Sequence, residues 1–527
     1  MPPMRLTDRK PLFAGIILTS LALCWFYALS RGQDANWDQL NYHLAVPFLL
    51  LHGQLWDSVA PAGIQSYFNP LIFLPGYWVV THLPPIAASL VFASEQAVAF
   101  MIAGWICLTL APPTREGRWM AIGGFVLCLT SPMALSEAGT TDTDVITAIP
   151  VLLAYYLLMT RESARSPLRA CLFAGVLLGA AGALKLTNLL FVFGVPGFLL
   201  AGTQPWRQRL ALLATTALAT VAAFLLLAAW WHVQLWQRFG NPVFPYYNNI
   251  FRSPDFPATP LVDPRFGMKS AWDLLRFPLY WLVGGSPTPS LKSPAAEVDP
   301  RDARFVLVII GLACLTIAST IRPNLRRRVL AHPASGLLFA WVAVYVVWLA
   351  AFGIHRYMIA LEILTGAVLL TLSLQISNAR LRHALLAATC LATVIVLHVP
   401  SWERLPFAAH WRTIAAETIP LSGRPLIFLA DLPTAFVSAS LPTSASYVGL
   451  AREIDLQANA GTSLTRQIAT DLADPARTPY VLFHSENPTP VGPELRSWHV
   501  SLGPDCQRFE LAHRRFTLCT LVPQPPG

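Results

Sequence analysis

Apolar residues along this chain come in long blocks separated by short polar breaks. Residues 11–29, 86–111, 119–135, 144–160, 168–183, 187–202, 209–231, 303–321, 335–353, 357–376 and 383–399 are each dominated by Leu, Ala, Val, Ile and Phe. A block of about 20 such residues, coiled as a helix, is long enough to cross a hydrocarbon core roughly 30 Å thick. Surface helices of soluble domains keep a charged or polar face opposite their apolar stripe. The pattern therefore predicts about eleven membrane-crossing helices. Residues 69–83 are apolar but short, broken by Pro70 and Pro75 and rich in aromatics. They read as a helix lying in the membrane surface.

Beyond residue 400 the blocks stop. Short β-like runs follow at Leu426–Leu429 and Tyr480–Phe483, and a strand-turn-strand pattern at Gln507–Leu511 and Arg515–Leu518. The expected architecture is an all-α polytopic membrane domain over residues 1–400, followed by a small α/β domain over 401–527. Cys506 and Cys519 are the only cysteines of that tail. They are expected to pair across the hairpin if the tail faces an oxidising compartment.

Composition agrees with the pattern. Hydrophobic residues make up 54% of the chain, charged residues only 12%, and mean hydropathy is +0.51. A soluble domain would carry about 25% charged residues. The net charge of +9 is unevenly placed. With the N-terminus inside, the short cytoplasmic loops collect 16 basic residues, from Arg5, Arg9 and Lys10 to Arg380 and Arg382; the short outer loops hold Arg31, Lys185 and Arg356. This is the positive-inside bias, and it leaves nothing that calls for a nucleic-acid partner. It places loop 30–85, loop 232–302 and the tail outside; the expected location is a bacterial inner membrane with that side toward the periplasm. Counting 69–83 as a span would reverse the bias.

Candidate chemistry gathers at the outer ends of the helices. Asp38 lies just past the first span in Trp37-Asp38-Gln39-Leu40-Asn41-Tyr42-His43, and Asn69-Pro70 follows in the same loop. Asp142 and Asp144 precede the fourth span, Lys185 lies in the turn between the fifth and sixth, and His355-Arg356-Tyr357 between the ninth and tenth. Carboxylates beside a lysine and an arginine suit an anionic lipid phosphate and an acceptor that needs a general base. A divalent cation, Mg or Mn, could also sit between the acids. Asp142 and Asp144 have a plainer reading as helix N-caps, Lys185 as a snorkelling side chain. Glu95 and Glu362 lie inside spans, where ionisable groups usually face a cavity or a partner.

These motifs resemble the GT-C superfamily of membrane glycosyltransferases, which includes protein O-mannosyltransferases and the aminoarabinose transferases that modify lipid A. Asp38 in WDQLNYH matches the acidic residue soon after the first span, and residues 67–83 resemble the surface helix that follows it. Asp142 or Asp144 matches the second acidic position. Gly175 through Lys185 resembles a glycine-rich span ending in lysine, and Arg356-Tyr357 a late arginine-tyrosine pair. One departure is that Asp38 is followed by Gln39 rather than a second acid. The resemblance implies an inverting transferase that moves a sugar from a polyprenyl-phosphate donor to a glycan, lipid or protein acceptor. Asp38, with Asp142 and Asp144, would be catalytic. Tyr42, His43, Asn69, Lys185, His355, Arg356 and Tyr357 would bind substrate. The competing class is a transporter or a lipid or polysaccharide flippase, but those usually bind near the bilayer midplane in repeated halves, and no repeat is evident here.

Overall fold

The computed structural model describes residues 10–202, 204–261, 263–284, 297–407, 419–450, 454–485 and 492–524; Arg5 and Arg9 of the basic-residue bias lie outside them. The chain forms two compact units, one of residues 1–31, 89–228 and 262–402, the other of residues 32–88, 229–261 and 403–527.

The first unit is a bundle of apolar helices. All eleven predicted blocks are helical, though not all equally long. Among the described residues of the whole chain, eight helices are long and apolar enough to cross a membrane alone. A ninth candidate is the bent pair Pro323–Ala331 and Gly336–Ala351. Arg115–Leu129 has only 15 residues, and Leu186–Leu200 is a shorter apolar helix that begins as 3₁₀ turns. The structure thus supports an integral, multi-pass membrane protein and leaves the number eleven as an expectation.

Packing explains the glycines. Gly175 and Gly179 lie four apart on helix Pro167–Leu184, and a Cβ on either would run into the backbone oxygen of Thr216 or Thr220 on helix Trp206–Phe239. Small residues at this spacing let two helices approach closely, which matters where no hydrophobic effect drives them together. Helix Ile359–Leu374 is the buried centre, with its first 13 residues all enclosed.

The second unit is built on a five-stranded mixed sheet. Two short strands, β1 (Gln33–Asp34) and β2 (Arg404–Leu405), form a separate antiparallel pair. The larger sheet contains β3 (Arg424–Leu429), β4 (Ser446–Gly449), β5 (Arg477–His484), β6 (Val500–Leu511) and β7 (Arg514–Pro523), in the order β4-β3-β5-β7-β6. β3 runs parallel to both β4 and β5, and β7 antiparallel to β5 and β6. Each predicted run is a strand or part of one. Cys506 and Cys519 face each other across β6 and β7 and form the expected disulfide. Residues 69–83 become a 3₁₀ turn and the helix Phe73–His82. At 10 residues and about 1.5 Å per residue, that helix is half the length a crossing needs.

Candidate functional site

The sequence-predicted residues divide between the two units. Asp38, Tyr42, His43 and Asn69 belong to the second; Asp142, Asp144, Lys185, His355, Arg356 and Tyr357 belong to the first.

In the second unit, Asp38 opens a single turn of π-helix, Gln39–His43. The turn is held from its N-terminal side by buried polar residues. Asp34 accepts bonds from the Asn36 amide (3.0 Å) and from Gln39 Nε2 (3.0 Å), and Asn36 Oδ1 accepts from the Gln39 amide at 2.7 Å. Asp34 and Gln39 are fully enclosed, while Asp38 retains 8% exposure beside the half-exposed Trp37. Downstream, Tyr42 meets Phe68 and Phe73 edge-on, and His43 stacks on Phe73 at 4.9 Å. Tyr42 and His43 thus pack into an aromatic cluster. Asn69 accepts from the Leu71 amide and caps the turn entering the surface helix. Phe244, from the proline-rich loop, is buried against Phe239 and Tyr67. Tyr247, Ile250 and Phe251 are exposed.

In the first unit, Asp144 is the first residue of helix Asp144–Thr160, where the helix dipole favours a carboxylate. Its Oδ1 lies 2.5 Å from Lys185 Nζ. Lys185 terminates helix Pro167–Leu184 in an extended conformation, which turns its side chain out of the helical path. Tyr357 contacts two cations: Lys185 Nζ is 5.6 Å from the ring centroid, and the Arg356 guanidinium is 5.6 Å from it. Arg356 in turn meets Glu297 at 3.0 Å. Asp142 accepts from the Thr140 hydroxyl within its own loop at 3.1 Å. Asp144 is therefore the acid that meets the lysine, a choice that spacing alone leaves open.

Four further residues organise this region. Glu137 is fully buried and accepts from the Val145 amide at 3.2 Å. Burial, reinforced by the charges of Asp144 and Asp142 and opposed by Lys185, pushes its carboxyl well above the usual carboxylate range. Glu362 accepts from the amides of Met133 and Ala134, both at 3.0 Å, and lies 3.3 Å from His355 Nε2. Arg304 meets Asp302 at 2.5 Å and donates to the Leu127 carbonyl and the Ser131 hydroxyl. Asp302, Arg304, His355 and Glu362 are all fully enclosed. His355 packs against the Trp281 ring at 4.5 Å. This network ties the segment before Asp142 to the segment bearing Arg356. Within the predicted spans, Arg304 and Glu362 are the charged members of this network; the contacts of Glu362 with residues 133 and 134, and of Arg304 with residues 127 and 131, join segments far apart along the chain. Among the described residues, no three His, Cys, Asp or Glu side chains are grouped so that they could hold a metal ion.

No curated protein matches the chain. The fold is similar to ArnT from Cupriavidus metallidurans bound to undecaprenyl phosphate, with a TM-score of 0.54, 14% identity and 98% of both chains covered. The apo state of the same protein matches over the same extent with a TM-score of 0.48. Glycosyltransferase family 87 matches over residues 67–344, more than half the sequence, and so the chain belongs to that family and is a membrane glycosyltransferase.

Proposed function

We propose that this glycosyltransferase moves a sugar from a polyprenyl-phosphate-linked donor to a glycan, lipid or protein acceptor at the extracytoplasmic membrane face. The observation that carries the reading is that Lys185 and Arg356 both come within 5.6 Å of the Tyr357 ring centroid. Two cations in one half-buried region suit an anionic group that gains charge as a bond breaks. The fold's likeness to a protein seen with undecaprenyl phosphate supports the same donor class here.

In this reading the acceptor hydroxyl attacks the anomeric carbon directly. Asp38 takes the hydroxyl proton as the new C–O bond forms. The bond from the anomeric carbon to the phosphate oxygen breaks, and its electron pair leaves with the polyprenyl phosphate. Lys185 and Arg356 hold that phosphate, Asp144 keeps Lys185 aligned, and Asp142 shapes the loop before it. Displacement of this kind inverts the anomeric centre. Tyr42, His43 and Asn69 fix the segment carrying Asp38, and His355 fixes the segment carrying Arg356.

Mass spectrometry of surface glycans, lipids and glycoproteins tests the reading in cells expressing the intact protein, the Asp38→Asn variant or neither. The expected result is a species heavier by one sugar residue that depends on the intact protein. Identical profiles in all three would overturn the proposal.

A further inference from the structure

The sheet domain at the C-terminus has no part in the chemistry above, yet it grips the segment that carries Asp38 from several directions. On one side, β1 pairs with β2, matching Gln33 to Leu405 and Asp34 to Arg404, and the Ala35 amide donates to the Glu403 carbonyl at 3.1 Å. This fixes Asp34, whose carboxylate holds Asn36 and Gln39 on either side of Asp38. On the other side, Val59 extends the sheet at its β4 edge: the Val59 amide donates to the Tyr447 carbonyl at 2.7 Å, and the Gly449 amide donates back to Val59 at 2.9 Å. The Tyr447 amide also donates to the Ser58 hydroxyl. From there the grip reaches the π-turn, because Asn41 Nδ2 donates to the Ala62 carbonyl at 3.1 Å. The turn Ala435–Ser440 packs against both Gln39–His43 and Ala45–Leu51.

We propose that the C-terminal sheet domain is a template that sets the position of the Asp38 segment, with Gly449 as a positioning residue. A side chain at residue 449 would run into the backbone carbonyl of Ala60, so only glycine lets the loop seat on the β4 edge. An unpaired sheet edge is a liability that proteins normally cover; here the cover is the loop leading from the base. The proposal rests on Asp38 as the base. Catalytic geometry is steep in position, with a misplacement near 1 Å costing on the order of 10²-fold.

The test uses the full chain in detergent or liposomes, with a polyprenyl-phosphate-linked sugar as donor. Gly449→Ala is expected to lower kcat by about 10- to 100-fold with the donor KM within about twofold, and to raise amide exchange over residues 36–62. Ser58→Ala, which removes one bond without a clash, is expected to lower kcat by about fivefold, in line with about 1 kcal/mol for one hydrogen bond; it decides the matter if Gly449→Ala does not fold. A Val59→Cys, Val448→Cys cross-link is expected to leave turnover intact, since neighbouring strands lie about 4.8 Å apart, within disulfide reach. Ordinary kcat in Gly449→Ala with loosened exchange, a change in KM alone, or a dead cross-linked protein would overturn the template. Full turnover in Asp38→Asn would instead overturn the premise that Asp38 is the base.

Discussion

The Lys185–Asp144 pair offers the sharpest test of the first unit's geometry. The side chains are 19% and 4% exposed, with a nitrogen-oxygen separation of 2.5 Å. At an effective dielectric constant of 20, the attraction at that distance is about 6–7 kcal/mol before desolvation. Desolvation removes much of this, but deleting one partner of a buried pair typically costs about 3–5 kcal/mol because the other charge is stranded. Here the stranded carboxylate would also lie near the buried carboxyl of Glu137. Lys185→Met should therefore lose about 3–5 kcal/mol of stability. The double variant Lys185→Met, Asp144→Asn should recover most of that loss, because no unpaired charge remains. Donor binding should behave differently. A charged hydrogen bond to phosphate contributes about 1.5–3 kcal/mol, so both lysine variants should bind a polyprenyl phosphate about 10- to 100-fold more weakly. The measurements are thermal unfolding and lipid-phosphate titration in detergent, run on both single variants and the double. If the double variant is no more stable than Lys185→Met, the ion pair is not the source of the stability. If lipid phosphate affinity is unchanged in both lysine variants, Lys185 is not a donor ligand.

Four further outcomes follow from the structure. Asp38→Asn should lower turnover by about 10²–10⁴-fold with little change in donor affinity; near-normal activity in membranes would remove the base assignment. Arg356→Ala should weaken binding of the same lipid phosphate, and an unaltered titration curve would exclude its guanidinium from the site. Single cysteines at His52 and Ser444, both exposed, should label from the outer side of intact cells; reaction only after lysis would reverse the orientation. Glu137 has a raised folded-state pKa, so the stability it contributes is full below the unfolded pKa of about 4.3 and is lost as pH rises toward the folded value. Glu137→Gln should flatten the decline of melting temperature as pH rises above about 4.3, and an unchanged slope would show that another group titrates.

Much of this protein was legible because two of its signals are local. A run of apolar residues is a helix in a bilayer whatever surrounds it, since each backbone group must bond within its own segment. Turn residues and short β-like runs marked four strands of the larger sheet but not β4, and the two tail cysteines lay close enough in the chain for a hairpin to join them. Charge bias gave an orientation, and short acidic motifs gave Asp38, Asp142 and Asp144 as candidates. What the sequence could not supply was pairing between distant segments. Asp144 rather than Asp142 meets Lys185 because of where two helices end in space. Arg304 and Glu362 are 58 positions apart, yet their side chains lie 3.8 Å from each other. Gly449 is an ordinary glycine until Ala60 is found against it. These contacts depend on how the chain returns on itself, which hydropathy, period and motif spacing do not encode. The span count is divided in the same manner: apolarity marks eleven blocks, while the described residues hold eight helices long enough to cross alone, one bent pair and two shorter apolar helices.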